Sequence, residues 1–151
     1  MNFLPINIRI ADATILIVGG GKVATHKAPI LSRFTDQATI IAPEISDTIK
    51  QLPFHWREKE FEESDLEGVN LLFICTGNHP LNRQIKQLAH NHGILASVCD
   101  APGLCDFTSP AIYRHGNVTI AVASDAKEVR RSIGIRDRIK DAIENDIIPI
   151  D

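Results

Sequence analysis

The stretch ILIVGGGKVATHKAPIL, residues 15–31, decides the fold. Four apolar residues run into three consecutive glycines, and a segment with helical spacing follows. A short apolar run rich in β-branched residues is what a strand buried on both faces of a parallel sheet looks like. Gly19-Gly20-Gly21-Lys22-Val23-Ala24 then fits G-x-G-x-x-A, between that strand and a helix over 21–33 that Pro29 can kink. In such a turn Gly19 permits the sharp reversal, Gly21 lets a phosphate approach the backbone, and Ala24 lets the helix lie close on the sheet. The helix start, with Lys22 and Val23, offers N–H groups to a pyrophosphate. An ATP-type phosphate loop is excluded: Val23 stands where a Ser or Thr would hold Mg²⁺, and the G-x-x-x-x-G-K spacing is absent. A dinucleotide fingerprint also needs an acid ~20 residues on, after the second strand. Glu44, in IIAPE, stands there. An acid at that place repels a 2′-phosphate, so the cofactor expected is NAD.

Outward from this loop, strands and helices alternate. ATIIA (38–42) is a second strand stopped by Pro43, with a short helix over 44–51 and a peripheral strand in FHWRE (54–58). VNLLFICT (69–76) is another buried strand. A helix follows from Pro80, with Leu81, Ile85, Leu88 and Ala89 on one face, and Gly93 closes it before the strand ILASVC (94–99). This rhythm predicts an α/β, Rossmann-like, doubly wound parallel sheet with helices on both faces. The pattern then changes. DAPGLCDFTSPAIYRHG (100–116) reads as loop, NVTIAVAS (117–124) as a strand, and about 126–145 as an amphipathic helix. The expected division is a dinucleotide-binding domain over 1–105 and a small strand-plus-helix region over 106–151.

Composition narrows the function further. The chain has 151 residues, 44% hydrophobic and 23% charged, with net charge −3, which argues against a generally basic nucleic-acid binder. No apolar run approaches the ~20 residues of a membrane span. MNFLPINIRI lacks the form of a signal peptide. Cys75, Cys99 and Cys105 are odd in number and without C-x-x-C spacing, so reduced thiols and a cytoplasmic location are expected. Cys75 and Cys99 read as small core residues. His79 and His115 are candidate metal ligands by residue type, but the six histidines show no ligand spacing beyond the exposed HNH at 90–92, so no metal site is expected. Lys127, Arg130, Arg131, Arg136, Arg138 and Lys140 crowd one segment, as a solvated helix face, as a guide for a carboxylate-rich substrate, or as a nucleic-acid contact, for which no stacking or groove-reading motif accompanies the run.

Taken in series, the glycine loop, IIAPE, LLFICTGNHPLNRQI and GILASVCDAPGLCDFTSPAIYRHGNVTIAVAS resemble the N-terminal domain family of siroheme synthases, over residues 3–124. The most specific piece is CDAPGLCDFTSPA. The resemblance implies NAD-dependent dehydrogenation of precorrin-2 to sirohydrochlorin, with Fe²⁺ as a co-substrate where family members are also ferrochelatases. It implies that Asp100, in V-x-D-x-P after the fifth strand, is the catalytic residue. Thr76, Gly77 and Asn78 fall in its cofactor loop together with Asn82, and a homodimer is built from the C-terminal region. The chain departs from the family at His26, in the DAKEV turn at 125–129, and in a shorter C-terminal helical region. A dinucleotide-binding sensor without turnover would keep the glycine loop and Glu44 but would not need Asp100 or the GLCDF loop.

Overall fold

The computed structural model describes residues 3–150. The chain divides into two compact units, one running from Asn7 to Phe107, the other from Thr108 onward together with the first residues up to Ile6.

The larger unit is built on β1 (Ile15–Val18), α1 (Lys22–Leu31), β2 (Ala38–Ala42), α2 (Asp47–Lys50), β3 (His55–Glu58), β4 (Leu71–Ile74), α3 (His79–Asn91) and β5 (Leu95–Val98). Its five strands are all parallel, in the order β3-β2-β1-β4-β5. Every residue of β1 and β4 is buried, as expected of central strands covered on both faces. Alternation sorts their side chains. Ile15 and Ile17 join Ala24 and Ala28 of α1 in one apolar cluster, while Leu16 and Val18 join Ile85 and Ala89 of α3 in a second. Alanines four apart on α1 leave no bulk between helix and sheet, so the helix that begins at the glycine loop lies close to β1. Pro29 sits inside α1. α1 and the short α2 are trimmer than the ranges 21–33 and 44–51 that spacing suggests.

α3 begins where its sequence says it should. Asn78 is the N-cap, its side-chain oxygen accepting from the Leu81 N–H at 3.1 Å, and Pro80 occupies the first turn, where its missing N–H costs nothing. Gly93, at φ +69°, ends it. The edge of β5 is closed by the chain that returns past it. The Asp106 N–H donates to the Ala96 carbonyl at 2.9 Å, the Asp106 carboxylate accepts from the Ala96 N–H at 2.9 Å, and the Cys105 sulfur takes the Val98 N–H at 3.2 Å. Unpaired backbone on that edge is thereby satisfied without a sixth strand.

The smaller unit corrects the reading of 100–116 as loop throughout. Ala111–His115 forms β6, which pairs antiparallel with β7 (Val118–Val122). The two are joined by Gly116 and Asn117, with Gly116 at φ +54°, a two-residue hairpin loop of the kind that needs positive φ. Only Ile112 and Tyr113 in β6 are strongly strand-forming, and the neighbouring Ser-Pro and Arg-His pairs hide it. α4 (Val129–Glu144) packs on this hairpin, with Arg136 donating to the Ile112 carbonyl at 2.9 Å. It starts three residues later than the spacing suggests because Asp125 and Ala126 adopt left-handed conformations, φ +49° and +57°.

Candidate functional site

In an open parallel sheet the ligand crevice lies at the carboxyl ends of the strands, where the strand order reverses. Here that place is between β1 and β4, and the glycine loop leaves β1 beside it. Its packing is tight on two sides and open on the third. A methyl group on Gly19, which sits at φ +121°, would lie 2.5 Å from the Cys75 carbonyl oxygen. One on Gly20 would lie 2.2 Å from the Glu44 carbonyl oxygen. At Gly21 it would meet nothing within 4 Å. The first two glycines therefore serve the fold, and the third keeps a surface bare. Gly20 was merely a variable position in the motif; what demands glycine there is the backbone of a loop over twenty residues away, which no local pattern reports.

The loop after β2 is fastened to the glycine turn. The Ser46 N–H donates to the Gly20 carbonyl at 3.2 Å, the Gly19 N–H to the Ile41 carbonyl at 2.8 Å, and the Thr25 and Ser46 hydroxyls lie 3.0 Å apart. Glu44 is exposed on this loop, its backbone against Gly20. Gly21 is the N-cap of α1 and, among the described residues, no side chain caps that helix start. Lys22 and Val23, both exposed, thus begin a ten-residue helix whose first N–H groups lack side-chain partners, at its positive dipole end. A bare glycine, uncapped amides and an acid at the rim fit a dinucleotide: the amides and Lys22 would receive a pyrophosphate and Glu44 ribose hydroxyls.

Across the crevice, the ends of β4 and β5 bring the second group together. The buried Asn82 amide donates to the Thr76 carbonyl at 3.1 Å and to Asp100 Oδ1 at 3.3 Å, while its oxygen accepts from the Thr76 hydroxyl. The other Asp100 oxygen lies 2.9 Å from His79 Nδ1. Asp100 keeps 28% of its side chain exposed and His79 67%, so the carboxylate is oriented from both sides yet reachable. Gly77 and Asn78 are exposed between them, a methyl on Gly77 meeting nothing within 4 Å. His79, which the sequence offers only as a candidate metal ligand, is thus the neighbour of Asp100. Among the described residues no three His, Cys, Asp or Glu side chains are placed to hold a metal ion.

Asp106 belongs to a different arrangement. Both its oxygens lie within 2.8 Å of Lys86 Nζ, and one also accepts the Ala96 N–H. It clamps α3 to the edge of β5. Asp106→Asn should lower unfolding stability by about 1.5–3 kcal/mol, the range for hydrogen bonds to charged groups, and a denaturant titration reads this directly. An unchanged midpoint would show that the clamp contributes nothing.

Cys75 and Cys99 directly follow β4 and β5, side by side, their sulfurs 2.6 Å apart. The bond from Cys75, with Lys27 nearby, holds the Cys99 thiol below the usual range; the same contact and burial push Cys75 far up.

Comparison with known proteins bears on the family and the fold. Residues 6–111 match a family described as "Putative NAD(P)-binding". The chain is 35% identical over 147 residues to a siroheme synthase of Methylococcus capsulatus, an alignment covering 95% of this chain and 31% of that protein. It is 36% identical over 137 residues to one of Ectopseudomonas mendocina, covering 88% and 30%. The chain therefore spans less than a third of the length of these relatives. Among solved structures, SirC, precorrin-2 dehydrogenase, superposes with a TM-score of 0.80 at 21% identity, over 92% of this chain and 70% of that one. Among the described residues no helix is long and apolar enough to cross a membrane. The chain belongs to the NAD(P)-binding family that forms the N-terminal domain of siroheme synthases.

Proposed function

We propose that this chain catalyses the NAD-dependent oxidation of precorrin-2 to sirohydrochlorin, in the cytoplasm, on the way to siroheme. The observation that carries the reading is Asp100, held between Asn82 and His79 at the end of β5 and opposite the bare glycine loop. Gly19 and Gly21 shape the cofactor cradle, Lys22 and Val23 present the helix start, Glu44 selects the unphosphorylated ribose, and Thr76, Gly77 and Asn78 line the nicotinamide side. The bound cofactor supplies an acceptor for hydride. The chain must then take up the proton that leaves the macrocycle, and Asp100 is the carboxylate positioned to do so. The Asn82 amide fixes one of its oxygens, and His79 gives the other a neighbour open to solvent.

Anaerobic incubation with precorrin-2 and NAD⁺, followed by absorption, tests this. Formation of sirohydrochlorin with NADH supports it. NAD binding without turnover would replace the enzyme by a dinucleotide-binding module. An added Fe²⁺ arm reads whether the chain also inserts the metal into the product.

The region from 106 onward is proposed to form a homodimer and to contribute to substrate binding, the segment Lys127–Lys140 steering a substrate rich in carboxylates. Its motive is the apolar surface of the smaller unit, with Val118, Val129 and Ile133 all exposed. Sedimentation at micromolar concentration should give a dimer, and the double variant Val129→Asp, Ile133→Asp a monomer. A monomeric parent chain would remove this assignment.

A further inference from the structure

We propose that Cys75 and Cys99 are an oxidation site, closing to a reversible disulfide at the base of the nucleotide crevice when the protein meets hydrogen peroxide. The placement comes from sheet register. Ile74 pairs with Val98, and the Cys99 N–H continues the ladder by donating to the Ile74 carbonyl at 2.9 Å, so the two cysteines are the next neighbours across the β4–β5 seam. Adjacent strands lie ~4.8 Å apart, inside the ~4.4–6.8 Å between Cα atoms that a disulfide spans. In-register neighbours point to the same face, and both cysteines pack against the same apolar cluster. Both are free thiols. Cys105, the third, faces the opposite cluster and spends its sulfur on the Val98 N–H and carbonyl, so it does not compete.

The pair is also chemically asymmetric. Cys99 is half-buried and reachable, while Cys75 is buried behind it, the arrangement of an attacking thiol and its resolving partner. Hydrogen bonding from Cys75 favours the thiolate at Cys99. That thiolate attacks one peroxide oxygen; the O–O bond breaks, giving a sulfenic acid at Cys99 and hydroxide, which is neutralised by the proton lost when Cys99 ionised. The Cys75 sulfur then attacks the Cys99 sulfur. The S–O bond breaks, the Cys75 proton leaves with the departing oxygen as water, and the disulfide remains. Two thiols have lost two electrons and two protons, and one peroxide has become two waters.

The bond would be felt at the site because of its neighbours. The Cys75 carbonyl packs on Gly19, and Thr76 and Asp100 are the residues that follow the two cysteines. Pulling the sulfurs to covalent distance shifts both strand ends. Resting on the dehydrogenase reading above, oxidised protein should turn over roughly tenfold to a hundredfold more slowly, since small misplacements of positioned groups have effects of that order.

The test uses the whole chain, reduced, exposed to hydrogen peroxide, quenched with catalase, and then assayed for thiols in denaturant, intact mass and turnover. The expected result is a fall from three free thiols to one, a mass loss of two hydrogens, a Cys75–Cys99 linked peptide, and recovery of all three thiols with dithiothreitol. Cys105→Ser should still form the bond, and Cys99→Ser should not. Loss of thiols without the two-hydrogen change, or a link through Cys105, overturns the site. A disulfide that leaves turnover undiminished overturns its control of the crevice. A disulfide in a chain whose reduced form never oxidises precorrin-2 supports the thiol site and overturns the dehydrogenase reading instead.

Discussion

Asp100→Asn is expected to reduce precorrin-2 oxidation by roughly 10²–10⁴-fold, the usual span for losing a general base. The substitution keeps the side chain's size and leaves an oxygen to accept from the Asn82 amide, so the strand end stays in place. What it loses is the carboxylate facing His79 and the capacity to take a proton. NAD affinity should change by less than about threefold, within ~0.6 kcal/mol, because Asp100 stands across the crevice from the loop expected to hold the pyrophosphate. Steady-state turnover and calorimetric NAD binding, measured on the same preparation, separate the two effects. Near-normal turnover would end Asp100's assignment as base. A parallel collapse of NAD binding would make it a structural residue of the cofactor site.

Two neighbouring glycines should fail in opposite ways. Gly21→Val adds a side chain to open space, so the thermal midpoint should hold while NAD affinity falls roughly a hundredfold or more. Losing even one or two hydrogen bonds to a charged phosphate, at about 1.5–3 kcal/mol each, is sufficient for that. Gly20→Ala adds only a methyl, but it meets the Glu44 carbonyl at 2.2 Å and the Ile45 Cα at 2.9 Å. Backbone must move, and overpacking of this kind costs about 1–3 kcal/mol or more of stability. Thermal melts and calorimetry on both variants check the pair. Equal NAD affinity for Gly21→Val would refute the cradle, and an undisturbed Gly20→Ala would show that the two loops are free to separate.

The glycine loop and the alternating strands were legible because their causes are local. A strand covered on both faces must be apolar at every position, and a strand-to-helix turn that leaves room for phosphate must lack side chains. β6 was not legible, because its partner β7, rather than its own five residues, makes it a strand. The same holds for the contact between His79 and Asp100, twenty-one residues apart and joined only by the parallel pairing of β4 with β5. Cys105 and Asp106 lie in a stretch that reads as loop, with no local sign of a partner. Their work on the β5 edge exists only once that edge exists.

The strand order also sets a schedule for folding. β1 and β2, and likewise β4 and β5, are each joined by a single helix and can pair while the rest of the chain is still disordered. The seam between them is different: Ile15 waits for Leu71, and only then does the Cys75 N–H reach the Val18 carbonyl. Each doubling of loop length costs only about 0.6 kcal/mol, so this seam is weakened little at equilibrium but is met late in the search. A ligand seated across β1 and β4 would bind the joined form alone and hold it closed by mass action. Amide exchange at Cys75 should therefore slow markedly with saturating NAD, and that at Ile41, on the early-forming side, should slow less.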